Sequence, residues 1–358
     1  MEKYFERHRQ TSSPDLGGRV RELVELAGGA NSPNAAIYES MMRTLVELVQ
    51  NDVDRWDAKI ANHALRDMAN AFNRLRPFGR RRKVTVYGSA RTPSTDPDYG
   101  LARELGQQLA AHGFMVITGA GGGIMHAAHE GAGAFDSVGL NIVLPHEQAA
   151  NPVIRGDEKL VSFRFFFTRK LFFVKEADAI VLLPGGYGTQ DEAFEVLTLV
   201  QTGKSPLVPI VLLDAPGSEY WSHWCDFVER QMLRPGRISP HDMNLVRRAH
   251  TAGEAIEEIE RFYRRYHSAR WVEDILRIRL CAPLSEAQLS QINAEYSDLC
   301  RDGGFEQRAA HPAESDEPEL ADLPRLCFRF KNRDFGRLRA LVDALNALEP
   351  SGREEAPK

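Results

Sequence analysis

Apolar positions along this chain follow two rhythms. In the first eighty residues they recur every three or four places. Ile37, Met41, Met42, Leu45 and Leu48 do so between Ala36 and Val49, and Leu65, Met68, Ala71, Phe72 and Leu75 do so between residues 60 and 75. That period predicts helices, and Pro77-Phe78-Gly79 closes the second of them. From residue 84 to 213 short, nearly all-apolar runs alternate with helical spacing. The runs are Val84–Tyr87, Phe114–Ile117, Ser137–Leu144, Asp178–Leu183 and Leu207–Leu213. The helical stretches are Tyr99–His112, Ile124–Ala134, Phe165–Glu176 and Thr189–Gln201. Repeated β–α units with apolar strands predict a parallel sheet covered on both faces, a Rossmann-like, doubly wound α/β fold. Past about residue 268 the pattern changes again. Trp271–Cys281 suits a strand or a helix, Ser285–Cys300 reads as a helix, and Asp302–Pro324 as a loop or linker. Leu326–Phe330 reads as a strand, Arg337–Leu348 as a helix, and the tail after Pro350 as disordered. The expected organisation is a helical N-terminal arm (1–80), a Rossmann-like domain (81–268) and a small C-terminal α/β extension (269–358).

Three glycine-bearing loops fall at carboxyl ends of the predicted strands, where parallel sheets bind their ligands. They are Gly88-Ser89-Ala90, Thr118-Gly119-Ala120-Gly121-Gly122-Gly123, and the run from Leu183 through Pro184-Gly185-Gly186-Tyr187-Gly188-Thr189 to Gln190-Asp191-Glu192. The third carries the most information. A strand, three glycines and a helix start make a cradle for phosphate, because the backbone can approach an anion closely and the helix offers unpaired N–H groups. Asp191 and Glu192 are expected in the first helical turn, where a pure phosphate site has no use for carboxylates. A site that holds phosphate and also performs acid–base or cation-stabilising chemistry does. Asp191 reads either as a second catalytic acid or, in preference, as a helix N-terminal acid, worth about 0.3–1 kcal/mol against the helix dipole.

Arg169 and Lys170 sit inside the intensely apolar run Phe165–Val174. Either they snorkel to the surface, or Arg169 enters a cleft and meets a carboxylate or phosphate. Other features carry less. His126 and His129 stand three apart without a Cys or acidic partner at ligand spacing, and read as ordinary histidines rather than metal ligands. Gly203 reads as a helix C-cap. Arg80-Arg81-Arg82-Lys83 reads as a solvated edge before the first strand. The glycines of the second loop lack the downstream acid that a nicotinamide site requires.

Composition narrows the class. The chain has 358 residues, 43% hydrophobic and 27% charged, with a formal net charge of -5. That balance argues against a general nucleic-acid or membrane binder. Four cysteines without paired spacing argue for reduced thiols rather than a disulfide or zinc framework. The charged start Met1–Arg7 does not read as a signal peptide, and no apolar run approaches the roughly 20 residues of a membrane span. A cytoplasmic protein is expected.

The Arg169-Lys170 pair, followed one strand later by Pro184-Gly185-Gly186-Tyr187-Gly188-Thr189-Gln190-Asp191-Glu192, resembles the LONELY GUY (LOG) family of nucleotide phosphoribohydrolases. The family pattern is Pro-Gly-Gly-x-Gly-Thr-x-x-Glu with an Arg-Lys pair on the preceding helix. The resemblance covers about residues 80 to 235 and is nearer to the long bacterial members, described as AMP or general nucleotide nucleosidases. Ala120 and Gly122 stand where many long members have Gly and Pro, and His126 and His129 where Glu and Asn are expected. The resemblance implies hydrolysis of the N-glycosidic bond of a nucleoside 5′-monophosphate to free base and ribose 5-phosphate. AMP is the first candidate and a cytokinin riboside monophosphate the second. It implies Arg169 and Glu192 as catalytic residues. Gly88, Ser89, Gly121, Gly122, Gly123, Met125, Lys170, Gly185, Gly186, Gly188 and Thr189 would hold the substrate and its phosphate. It implies no metal or other cofactor, and a homodimer or larger homo-oligomer, for which the apolar N-terminal arm is one candidate surface. A non-catalytic nucleotide sensor on the same fold is the alternative. Related sequences labelled lysine decarboxylases suggest a third reading, for which no pyridoxal phosphate site is evident.

Overall fold

The computed structural model describes residues 14–143 and 149–349. The N-terminal residues read above for a leader, Leu144 at the end of an expected strand, and the tail after Pro350 lie outside the described residues. The chain divides into two units, Met1–Arg66 and Asp67–Lys358. The first contains α1 (Pro14–Leu26), α2 (Ala35–Gln50) and the start of α3 (Arg55–Leu75). Glu39 of α2 lies 3.6 Å from Arg21 of α1 and 3.8 Å from Arg43. Ile37, Met41, Leu45 and Val49, four apart along α2, remain exposed.

The second unit is built on a seven-stranded parallel sheet in the order β4-β3-β2-β1-β5-β6-β7. Its strands are β1 (Lys83–Tyr87), β2 (Met115–Thr118), β3 (Ser137–Ile142), β4 (Leu160–Phe163), β5 (Ala179–Leu182), β6 (Ile210–Leu213) and β7 (Val246–Ala249). Strand period explains how apolar runs cover two faces at once. Val84, Val86, Val181 and Val211 point to one side, where α4 (Pro97–Ala111), α5 (Ile124–Asp136) and α9 (Ala252–Phe262) pack. Ile117, Ile180, Leu182, Ile210 and Leu212 point to the other, toward α6 (Phe166–Lys175) and α7 (Tyr187–Gln201). The chain leaves β1 toward β2, β3 and β4, then returns to β5 on the opposite side of β1. The order therefore reverses between β1 and β5, which opens a crevice at their carboxyl ends.

Helix α6 is fixed from outside itself. Its N-cap residue Phe165 has no capping side chain. Buried Asp67 supplies the acceptor instead, taking Arg164 N–H at 2.8 Å and the Thr168 hydroxyl at 3.3 Å. Asp67→Ala removes the acceptor from both the Arg164 N–H and the buried Thr168 side chain. We expect it to cost about 1–3 kcal/mol, read as a lower urea midpoint with an unchanged slope.

The basic run before β1 is not a solvated edge. Arg81 pairs with Asp136 at 2.6 Å, the Arg82 guanidinium lies 3.7 Å above the Tyr263 ring, and Lys83 is buried 3.4 Å from Glu176. Of the four, only Arg80 is exposed. Trp271–Cys281 resolves as a hairpin, β8 (Tyr266–Val272) and β9 (Ile275–Leu280), turning at Glu273 with φ +56°. With β10 (Glu306–Arg308) and β11 (Arg325–Phe328) it forms an antiparallel sheet ordered β10-β11-β9-β8. Helices α10 (Glu286–Tyr296) and α11 (Phe335–Ala347) complete this region. The stretch expected as loop or linker holds a strand and a buried carboxylate. Glu314 accepts from His311 N–H at 3.1 Å and from Arg279 at 2.8 Å and lies 3.4 Å from Arg325; against the opposing effect of burial, that backbone bond and then the two guanidinium groups hold its pKa down at about 2. Among the described residues no helix is long and apolar enough to cross a membrane.

Candidate functional site

The crevice between β1 and β5 is closed by backbone bonds among its three loops. Ser89 N–H donates to Pro184 C=O at 3.1 Å, and Ile124 N–H donates to Ser89 C=O at 3.0 Å. The loops after β1, β2 and β5 are thereby one object. Gly88 lies against Ile124, and Gly121 against Met125. Gly123 has φ +58°, and a Cβ there would stand 2.2 Å from the Ser89 carbonyl oxygen, so only glycine fits. Gly121, Gly122 and Met125 are half-buried beside it.

Helix α7 starts earlier than the sequence suggests. Gly186 is its N-cap, with no side-chain cap, and Tyr187, Gly188 and Thr189 form its first turn. Gly186, Tyr187 and Gly188 are exposed and Thr189 is buried. The first-turn N–H groups are thus uncapped at the mouth of the crevice, the arrangement that receives an anion. Asp191 and Glu192 consequently occupy the second turn. Asp191 is not a helix N-terminal acid; it lies 2.8 Å from Lys170.

Arg169 points into the crevice and does not snorkel. Its side chain is largely buried, lying between the rings of Phe166 and Phe173, 5.0 and 5.4 Å from their centroids. Its Nη2 lies 3.8 Å from Glu192 Oε1, and Lys170 Nζ lies 3.7 Å from Glu192 Oε2. Lys170 is also held by Asp191 and Glu195, each at 2.8 Å. Burial would lower the Lys170 pKa, but its hydrogen bonds to Asp191 and Glu195 raise it above the ordinary lysine value. The Arg169 pKa is lowered by burial, against the pull of Glu192.

Glu192 is 5% exposed, and burial pushes its carboxyl up to about 7 although Lys170 and Arg169 favour the ionised form. Neither cation reaches hydrogen-bonding distance. Glu192 Oε2, Arg169 Nε and the hydroxyl of buried Tyr87 make no hydrogen bond. The Tyr87 pKa is raised well above its ordinary value by burial, with Glu192 and Glu195 adding to it. A carboxylate poised near neutrality, two cations and unused bonding capacity suit a group that takes a proton and steadies positive charge.

The sequence reading missed the brace behind the cradle. Tyr220 of α8 (Tyr220–Val228) donates its hydroxyl to Gly185 C=O at 2.5 Å. Gln190 Nε2 donates to the Tyr220 oxygen at 2.7 Å, and Trp224 Nε1 donates to Gln190 Oε1 at 2.9 Å. This chain pins the Gly185 carbonyl away from the helix mouth. Tyr220→Phe frees it, and we expect KM for the ligand to rise about three- to tenfold with kcat nearly unchanged, as initial-rate kinetics will show. The two histidines are accounted for locally. His126 Nδ1 lies 3.1 Å from the Tyr99 hydroxyl, and His129 is wholly buried with both ring nitrogens engaged.

Known proteins resemble part of this chain in sequence. A family model described as "possible lysine decarboxylase" matches residues 122–259. A probable cytokinin riboside 5′-monophosphate phosphoribohydrolase of Oryza sativa subsp. japonica, LOGL5, is 31% identical over 194 residues, covering 52% of this chain and 75% of its own. The enzyme LOG of the same plant is 31% identical over the same shares, and LOG3 of Arabidopsis thaliana is 27% identical over 51% of this chain and 83% of its own. Among solved structures, the molybdenum cofactor carrier protein of Chlamydomonas reinhardtii is 21% identical with a TM-score of 0.36, covering 51% of this chain and 97% of its own.

Proposed function

This chain belongs to the LOG family of phosphoribohydrolases, and from that premise we propose that it hydrolyses the N-glycosidic bond of a nucleoside 5′-monophosphate to free base and ribose 5-phosphate. AMP is the first substrate and a cytokinin riboside monophosphate the second. The observation that carries the reading is Glu192, a buried carboxyl near neutral pKa, set between Arg169 and Lys170 and one turn along a helix whose N-terminus is uncapped.

The chemistry follows from the charges. As the bond from the ribose C1′ to the base nitrogen breaks, its electron pair leaves with the base and positive charge builds on the ribose ring. Ionised Glu192 steadies that charge and takes a proton from the water that attacks C1′; the departing base nitrogen takes up one proton from solvent and Glu192 afterwards returns its own to solvent, so that one water is consumed and the carboxylate is restored. The uncapped turn Tyr187–Thr189, with Gly185 and Gly186, holds the 5′-phosphate, and the loops at Gly88-Ser89 and Gly121–Met125 close over the nucleoside. A phosphate fixed far from the reacting carbon converts binding energy into orientation of the ribose. Arg169 orients Glu192, and Lys170 offsets the carboxylates of Asp191 and Glu195 and favours the ionised form of Glu192. Every part of the scheme uses side chains and backbone alone, with no metal or cofactor step.

The test is a product assay with AMP, GMP, CMP, UMP and N6-isopentenyl AMP. Release of base and ribose 5-phosphate from any of them supports the reading, and the ranking names the substrate. Binding without release from all five replaces the enzyme with a nucleotide sensor. The same reading carries a cytoplasmic homodimer or larger assembly, for which light scattering gives the mass.

A further inference from the structure

The turn between β2 and α5 holds a strained residue inside a buried polar network that the scheme above does not use. Ala120 has φ +60°, a left-handed conformation that side chains other than glycine rarely adopt. Both of its backbone polar groups are held. Its N–H donates to the Thr118 hydroxyl at 3.0 Å, and its carbonyl accepts from Asn151 N–H at 2.8 Å. Thr118 and Asn151 meet at one side chain, His129, which is wholly buried.

The partners settle which ring nitrogen carries the proton. His129 Nε2 lies 3.2 Å from the Val138 carbonyl, which can only accept, so Nε2 is protonated; the Thr118 hydroxyl shares that side at 3.1 Å. Nδ1 then accepts from Asn151 Nδ2 at 3.2 Å. The same Asn151 nitrogen donates its other hydrogen to Gly121 C=O at 3.2 Å. Asn151 Oδ1 is buried and makes no hydrogen bond. The amide thus gives up its acceptor so that its donors face the ring and Gly121. A ring offering N–H at Nδ1 would turn the amide over and release the Gly121 carbonyl. Burial lowers the His129 pKa to about 4, which keeps the ring neutral at ordinary pH.

This turn lies against the catalytic groups. A Cβ on Gly119 would stand 3.8 Å from Arg169 Nη1, and Gly123 abuts the Ser89 carbonyl. We propose that His129 is a positioning residue for the nucleotide site, its neutral imidazole holding the Gly119–Gly123 turn through Thr118 and Asn151 in the shape that receives the substrate. The inference rests on the nucleosidase reading and assigns a task to a residue outside the Arg169–Glu192 pair.

The experiment uses the full chain as wild type, His129→Leu, His129→Gln and Asn151→Ala. AMP affinity is measured by titration calorimetry, kcat and KM by base release, and folding by thermal melts. His129→Leu is expected to weaken AMP binding and raise KM about tenfold, with kcat at saturation within about twofold of wild type. His129→Gln, which keeps a donor and an acceptor, recovers most of the loss. Asn151→Ala reproduces the KM effect with the imidazole in place, and decides the matter if His129→Leu does not fold. Unchanged affinity and KM in folded His129→Leu or in Asn151→Ala overturn the inference, as does a fall in kcat at constant KM. Wild-type protein that binds AMP but releases base from none of the five monophosphates sinks the nucleosidase reading alone, and the variants' affinities still judge the positioning role. Where another of the five binds in place of AMP, the same titrations use it; wild-type protein that binds none of the five overturns both.

Discussion

Glu192→Gln lowers kcat by about 10²–10⁴-fold, the range for loss of a positioned acid–base group, while AMP affinity changes little. Gln preserves the shape of the side chain but cannot take a proton or offset positive charge on the ribose. The same substitution separates function from stability. In the folded protein the Glu192 carboxyl titrates at about 7, against an ordinary value of 4.5. Between those values the folded state keeps a proton that the unfolded chain has released, so the wild type loses stability as pH rises through this window. Gln carries no such penalty. Thermal melts at pH 5 and pH 8 are therefore expected to show the variant gaining on the wild type at the higher pH, by an amount on the order of 2 kcal/mol. Wild-type kcat should climb through about pH 7 to a plateau. A variant with full turnover refutes the mechanism; one that melts identically to wild type at both values refutes the account of the buried carboxyl.

Arg169→Leu has the second-largest expected effect. The guanidinium 3.8 Å from Glu192 is one of two cations that favour its ionised form, against a burial effect that already dominates. Without it the carboxyl titrates higher still. Turnover at pH 7 should fall about 10²-fold, and the rising limb of the pH–rate profile should move to higher pH, so that part of the loss returns in alkaline buffer. Arg169→Lys tests whether charge suffices. A lysine cannot lie flat between Phe166 and Phe173, and we expect it to restore the pH midpoint better than the rate. An Arg169→Leu profile reduced in height at an unchanged midpoint would show that the guanidinium acts on substrate and not on Glu192.

The central strands were legible because both faces of the sheet are covered, which makes their sequences apolar throughout. β4 and β7 were not, for the converse reason. Leu160-Val161-Ser162-Phe163 and Val246-Arg247-Arg248-Ala249 are edge strands, and β7 carries two arginines. The motif residues Arg169, Lys170 and Glu192 were legible, and the structure brings them together. The position of the helix start was not. Gly186 is extended, with ψ −153°, which begins the helix at Tyr187 and shifts the acids into its second turn. Tyr220 and Trp224 lie some thirty residues from the loop they brace, with no local pattern to announce them. Gln190 offered one faint signal, an amide at an unspecified place in the motif facing inward. His129 could be read only as an ordinary histidine, because its partners Thr118 and Asn151 come from separate segments. The acidic, proline-rich stretch around Glu314 was read as a linker because composition cannot reveal that a carboxylate is answered by Arg279 and Arg325 from neighbouring strands.

The plant relatives align with about half of this chain, yet the remainder beyond the sheet is no detachable appendix. Phe335 of α11 lies over Gly203, the left-handed residue just past the end of α7, where any Cβ would meet its ring at 2.1 Å. Leu338, Leu341, Val342 and Leu345 of α11 join the same apolar cluster as Ile180, Leu182 and Leu212 of the central sheet. The helix that bears Glu192 is thus roofed at its far end by residues more than 130 positions downstream. Trimming the protein to the length shared with its relatives would strip solvent protection from the sheet that aligns the reacting groups. The C-terminal region is therefore one wall of the core behind the candidate site.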